Sequence, residues 1–238
     1  MTGSKPSGAK RSRKTAKANA DDANLRMKHE RVKTARGRKG SSTRWLQRQL
    51  NDPYVRKAKI MGYRCRAAFK LVELDEQFKL LEKSALVVDL GAAPGGWSQV
   101  ASQKKVSRIL GIDLLPVKSM AGAEFIEFDF MADDAPDVLK NMLGGPVDLV
   151  MSDLAANTTG HRQTDHMRTI ALVEAAAAFA FQTLKPGGHF VTKVFQGGAE
   201  KTLLDSLKKK FVFVRHAKPK ASRDSSPEMY LVAKGFRG

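Results

Sequence analysis

The chain has 238 residues, with 42 Lys/Arg against 24 Asp/Glu, a net charge of +18 and 42% hydrophobic residues. That is enough apolar material for one good-sized core, and the charge attracts polyanions, nucleic acid above all. No run approaches the ~18 apolar residues of a membrane span, no signal-like apolar stretch stands near the start, and the single cysteine, Cys65, excludes an internal disulfide and leaves a zinc site short of thiolates.

Residues 1–40 hold 13 Lys/Arg and 3 Asp/Glu, a net of +10, and almost no large apolar residues. Such a segment cannot offset its ordering entropy by burial, so a disordered, phosphate-binding arm is expected. Residues 41–238 are expected to form the folded domain, opening with basic helices over 41–81. "SSTRWLQRQL" (41–50) offers cap residues before Trp45, Leu46 and Leu50. Pro53 predicts a second helix start and Gly62 its stop. "RAAFKLVELDEQFKLL" (66–81) spaces Phe69, Leu71, Val72, Leu74 and Phe78 at helical intervals.

After Leu80 the pattern changes to short apolar runs. They are "ALVVDLG" (85–91), "RILGIDLL" (108–115), "AEFIEFDF" (123–130), "VDLVMSDL" (147–154) and "HFVTKVF" (189–195), separated by helical stretches such as the Ala-rich 166–184. Alternation of strand and helix predicts an α/β fold with a mostly parallel sheet covered on both faces. "FVFVRHAK" (211–218) and "EMYLVAKGF" (228–236) follow without an intervening helix, which predicts a C-terminal hairpin with an antiparallel last strand.

"DLGAAPGGWSQV" follows the first predicted strand and opens a helix. Its Asp89, Gly91, Pro94, Gly95 and Gly96 make a turn that a ligand can approach closely. Asp113, 22 residues after Gly91, ends the next strand, where a carboxylate can accept both hydroxyls of an adenosine ribose. Asp129 ends the third run, where an acid can meet an adenine amino group. The turn is not G-x-G-x-x-G, and with the antiparallel ending it favours S-adenosylmethionine over NAD. Trp97, at the start of the helix, also has a plain reading as a core residue.

"SSTRWLQRQLNDPYVRKAK", "RCRAAFKL", "VVDLGAAPGGWSQV", "IDLLP", "VMSDLAANTTG", "VTKVFQG" and "SRDSSPEMYLVA" together resemble the FtsJ/RrmJ family of ribosomal RNA 2′-O-ribose methyltransferases. The resemblance runs in order from about residue 41 to 235. It implies a Rossmann-like methyltransferase fold with a seven-stranded sheet, S-adenosyl-L-methionine as cofactor, and a uridine of 23S rRNA as target. It places a catalytic tetrad on Lys70, Asp153, Lys193 and Glu228, and cofactor contacts on Gly95, Trp97, Asp113, Asp129 and Asp153. Family members often read D-M-A-P-N where this chain has Asp153-Leu154-Ala155-Ala156-Asn157. It further implies ribosomal RNA of the large subunit as partner, a monomer without metal or membrane, and a bacterial cytoplasmic rather than mitochondrial location.

Ligands of open parallel sheets bind beyond the carboxyl ends of the strands. Asp153, Lys193 and Glu228 converge on that rim by topology, while Lys70, on a helix, is placed there only by the resemblance. Lys193 is open to two roles: a general base, or a charged donor that orients the ribose hydroxyl while Asp153 takes the proton. RNA contact is expected from backbone-directed cations in 41–66 and in the loop 217–227 (Lys218, Lys220, Arg223), with steep salt dependence. The competing readings are methylation of tRNA or another RNA, and a non-catalytic ribosome-assembly factor.

Overall fold

The computed structural model describes residues 30–32, 37, 40–156, 159–195 and 201–238. The expectation of disorder in 1–40 lies almost wholly outside the described residues, as do Asn157 and Gln196, Gly197 and Gly198. The chain divides into a small unit, 1–57, and a main unit, 58–238. Two helices come first, α1 (Gly40–Leu50) and α2 (Pro53–Met61), the latter starting at Pro53 as expected. The main unit continues with α3 (Ala68–Phe78), β1 (Leu86–Leu90), α4 (Gly96–Gln103), β2 (Arg108–Asp113), β3 (Ala123–Glu127), α5 (Ala135–Leu143) and β4 (Val147–Ser152). It ends with α6 (Arg162–Thr183), β5 (Leu184–Phe195), α7 (Lys201–Lys210), β6 (Phe211–Ala217) and β7 (Glu228–Phe236).

The seven strands form one sheet in the order β3-β2-β1-β4-β5-β7-β6. The first five are mutually parallel, and β7 runs antiparallel to both β5 and β6. Alternate residues feed two cores. Val88, Leu90, Leu110, Ile112, Phe190 and Val194 pack beneath α5, α6 and α7. Val87, Ile109, Met151, Val191, Tyr230 and Val232 pack beneath α3 and α4. Both faces are dry, which is why the parallel strands read as nearly continuous apolar runs.

Several boundaries differ from the sequence expectation, each for a local reason. β2 stops at Asp113 because Asp113 Oδ1 accepts the Leu115 N–H at 2.9 Å, which turns the chain and leaves Leu114 and Leu115 exposed. β3 stops at Glu127, and Asp129 makes the same kind of turn with the Met131 N–H at 2.9 Å. β5 begins at Leu184 rather than 189, with a register shift opposite Val147/Leu149 that accommodates Pro186, Gly187 and Gly188. The α3 helix stops at Phe78 because Lys79 adopts the left-handed conformation, φ 54°.

Candidate active site

The carboxyl ends of β1, β2 and β4 open onto one rim of the sheet. Gly91 follows β1 there with φ +81°, and a Cβ on it would lie 3.0 Å from the Leu154 backbone. Only glycine lets the two turns meet so closely. The turn is fastened to β2: Gly91 and Ala92 donate to the Ile112 carbonyl, and Asp113 Oδ2 accepts the Ala93 N–H at 2.8 Å. A cavity of about 450 Å³ lies against this rim. Its apolar wall includes Ile112, Leu114, Phe128, Phe130 and Met131, and its carboxylates are Asp113, Asp129 and Asp153.

At the end of that cavity the catalytic candidates meet. Asp153 follows β4, its N–H held by the Leu90 carbonyl. Lys193 arrives on β5 and donates to the Asp153 carbonyl at 2.7 Å, with Nζ 3.2 Å from Asp153 Oδ1. Glu228 opens β7, opposite Phe195 in register. Lys70, in the first turns of α3, donates to Glu228 Oε2 at 2.8 Å and lies 3.7 Å from Asp153 Oδ2. All four sequence candidates therefore form one cluster, Lys70 included. The two lysine side chains are only 7% exposed, so their charges depend on the carboxylates rather than on water.

Tyr230, which sequence reasoning did not single out, holds the centre of this cluster. Its hydroxyl donates to Asp153 Oδ1 at 2.8 Å, its ring carries the Lys70 ammonium 5.6 Å from its centroid, and it packs on Trp97. It stands two residues after Glu228, on the same strand face, and that alternation is the signal that points to it. Ser222 closes the far side by donating to Glu228 Oε1 at 2.7 Å. Burial pushes the Asp153 carboxyl up, but the charges of Lys193 and Lys70 and the Tyr230 hydroxyl outweigh it and hold the group below the usual carboxylate range. Burial, with Asp153 and Glu228 nearby, drives the Tyr230 phenol well above its ordinary value, so it stays a donor.

The other expected cofactor contacts divide. Asp113 and Asp129 line the cavity; Gly95 and Trp97 do not. The Trp97 indole is buried and donates to the Ala67 carbonyl at 3.0 Å, so its ring serves the core between α3 and α4. Gly95, at φ +97°, lies against Arg64. Arg64 belongs to the cations of 41–66 expected to face RNA, but its guanidinium is used within the fold. Its guanidinium donates to the carbonyls of Lys118 (2.6 Å), Ser119 (2.9 Å) and Pro94 (3.3 Å), tying the loop after β2 to the glycine turn. Its own N–H is held by Gln99 of α4 at 2.8 Å. Beneath the turn, Asp89 accepts from Ser98 Oγ at 2.6 Å, while its other oxygen has no hydrogen-bond partner among the described residues. Burial raises its pKa to about 7 despite that bond.

A family model of FtsJ-like methyltransferases matches residues 63–236. The chain belongs to this family. Curated FtsJ-like relatives carry the name "Ribosomal RNA large subunit methyltransferase E". That of Novosphingobium aromaticivorans is 61% identical over 211 residues, 88% of this chain and 95% of the relative. That of Paramagnetospirillum magneticum is 57% identical over 244 aligned positions, all of this chain and 94% of the relative. Among solved structures, one described as a Plasmodium falciparum ribosomal RNA methyltransferase superposes with a TM-score of 0.66 at 32% identity, over 74% of this chain and all of that one. The methyl donor of FtsJ-like enzymes is S-adenosylmethionine, and the cavity suits it. Asp113 would take the ribose hydroxyls and Asp129 the adenine amino group. The apolar wall would take the base.

Proposed function

We propose that this chain methylates a ribose 2′-hydroxyl of large-subunit ribosomal RNA, a uridine of 23S rRNA being the expected target, and that Lys193, Asp153, Lys70 and Glu228 carry the step. It is an S-adenosylmethionine-dependent rRNA methyltransferase acting in the bacterial cytoplasm. The observation that carries the reading is Asp153, which lines the cofactor cavity and accepts from Tyr230 while facing both buried lysines. Among the described residues no helix is long and apolar enough to cross a membrane, and no group of His, Cys, Asp and Glu could hold a metal.

S-adenosylmethionine supplies a methyl already activated on a sulfonium. The weak partner is the ribose hydroxyl, so the protein's work is to align its oxygen and manage its proton. Lys193 faces two acceptors on Asp153 and donates to one of them. In that setting it acts as an ammonium that holds the attacking oxygen and stabilises the charge that develops on it. Asp153, ionised at neutral pH, receives the proton. Lys70 and Glu228 balance the cluster, so no charge is left unpaired in a dry site.

The deciding experiment supplies labelled cofactor with either naked rRNA or intact ribosomal subunits and maps the methylated ribose. Label on a base, on protein, or on no RNA would overturn the proposal. Label confined to tRNA would select the alternative substrate.

A further inference from the structure

A second groove runs down the other flank of α3, away from the cofactor. Two cavities of about 510 Å³ each share Gln77 and line up between α3 and the β6 side of the sheet. The upper one is bounded by Glu73, Leu74 and Glu76 of the helix and by Lys218, Pro219 and Lys220. Ala221 joins its two walls by donating to Glu73 Oε2 at 3.0 Å. The lower one is bounded by Phe78, Lys79, Val212, Phe213 and Lys234, with no carboxylate among its lining residues. Val212 is 72% exposed and Phe213 38%, unusual for large apolar side chains on an edge strand. Phe213 sits 6.1 Å from Phe78, ring centre to ring centre.

The lower cavity and the catalytic cluster lie at opposite ends of two shared elements, α3 and β5, with the buried Val191 and Val232 between them. Along α3, Lys70 to Lys79 is nine residues, about 13 Å at ~1.5 Å per residue. Along β5, Lys193 to His189 of the lower cavity is four residues, about 13 Å at ~3.3 Å per residue. The residues that register with these two on β7, Tyr230 and Lys234, are likewise on one strand face. In the lower cavity, an aromatic floor with Lys79 and Lys234 at its edge and no acid among its lining residues suits a nucleotide: the ring offers a stacking surface to any base, and the lysines meet the phosphates.

We propose that the lower cavity is a second RNA contact, in which an unstacked nucleotide of the substrate lies on Phe213 and Val212 with its phosphates facing Lys79 and Lys234, whose ammonium is held at the end of α3 by the Phe78 carbonyl. The proposal rests on the RNA substrate of the preceding section. It gives the enzyme a hold on single-stranded RNA at the far ends of the elements that carry Lys70 and Lys193, which base pairing inside a duplex would deny it.

The test uses the full chain with rRNA substrate and a short fluorescein-labelled single-stranded RNA as probe. Lys79→Glu and Val212→Asp change exposed positions outside the catalytic cluster, and each is made separately. Lys140→Glu, on α5 against the opposite face of the sheet, serves as the charge control. The expected result is a five- to tenfold weaker probe Kd and a matching rise in KM for RNA with either groove variant. Their kcat at saturating RNA, cofactor affinity and Tm should match those of the wild type, and Lys140→Glu should bind normally. Unchanged probe binding in both groove variants overturns the proposal. So does an equal loss with Lys140→Glu, which would mean general electrostatics, or a loss seen only with intact subunits, which would mean a protein partner. Failure of the wild type to methylate RNA at all would instead strike the underlying function.

Discussion

Lys193 on β5 lies directly opposite Tyr230 on β7, and both reach the same carboxylate, that of Asp153. The antiparallel pairing sets a cation and a phenol on one anion from adjacent strands. Tyr230→Phe keeps the ring against Trp97 and removes only the donor. The folded-state depression of Asp153 then shrinks. A depressed carboxylate contributes stability above its unfolded value, near pH 4, and loses it as pH falls through the folded value. The variant should therefore lose about 1 kcal/mol at neutral pH and unfold at a higher pH on acid titration. Its turnover should drop about tenfold. Circular dichroism against pH, beside methyl-transfer rates, checks both, and an acid transition identical to wild type refutes the linkage.

Substitutions of Lys193 separate its two roles. Lys193→Ala should bind cofactor normally and lose most transfer, by a factor of at least ~10². Lys193→Arg keeps the charge but cannot act as a base at any accessible pH. Residual turnover at least tenfold above the alanine variant is expected if the group works as a donor. Equal inactivity of both would assign proton removal to the lysine itself.

Arg64 is expected to act as a positioning residue for the cofactor. Arg64→Ala releases three carbonyls in two loops that flank Asp113. Cofactor KM and calorimetric Kd should rise about tenfold, equivalent to ~1.4 kcal/mol, with kcat at saturation and KM for RNA little changed. A fall in kcat with an unaltered cofactor Kd would contradict this.

Asp89 should leave a trace in the pH dependence of stability. Its folded pKa of about 7 exceeds the ordinary carboxylate value of 3.8, so between those limits the native state binds the extra proton. That contribution is complete below about pH 4 and is lost as pH rises towards 7. Asp89→Asn stays neutral throughout. Urea midpoints at pH 5 and pH 7.5 should differ less in the variant than in the wild type. An equal difference would show that Asp89 does not titrate there.

Much of this was legible in the residue order. The alternating strands, the antiparallel ending and the acids at strand ends follow from period and punctuation, and they bring Asp153, Lys193 and Glu228 to one rim. Lys70 was not legible physically, because a helix lysine shows its partner only once the helix is docked; the family resemblance placed it. Tyr230 was obscured because an aromatic between valines reads as core, which it also is. Arg64 left no signal, since all three of its acceptors are backbone carbonyls, which no sequence letter encodes. Trp97 carried both a cofactor role from the resemblance and a plain core reading from its place at a helix start, and its ring packs into the core.

The reversal of β7 has a consequence in time as well as in space. Lys70 is held by Glu228, 158 residues further along the chain, and Asp153 by Tyr230, 77 residues on. The glycine turn, Asp113 and Asp129 are all made long before. A growing chain emerges from its N-terminus, so the acid and the phenol that complete the cluster follow every residue that lines the cavity. A nascent chain that already holds every cavity-lining residue still lacks its charge balance. Competence for methyl transfer thus arrives only with β7, after the cofactor cavity is complete.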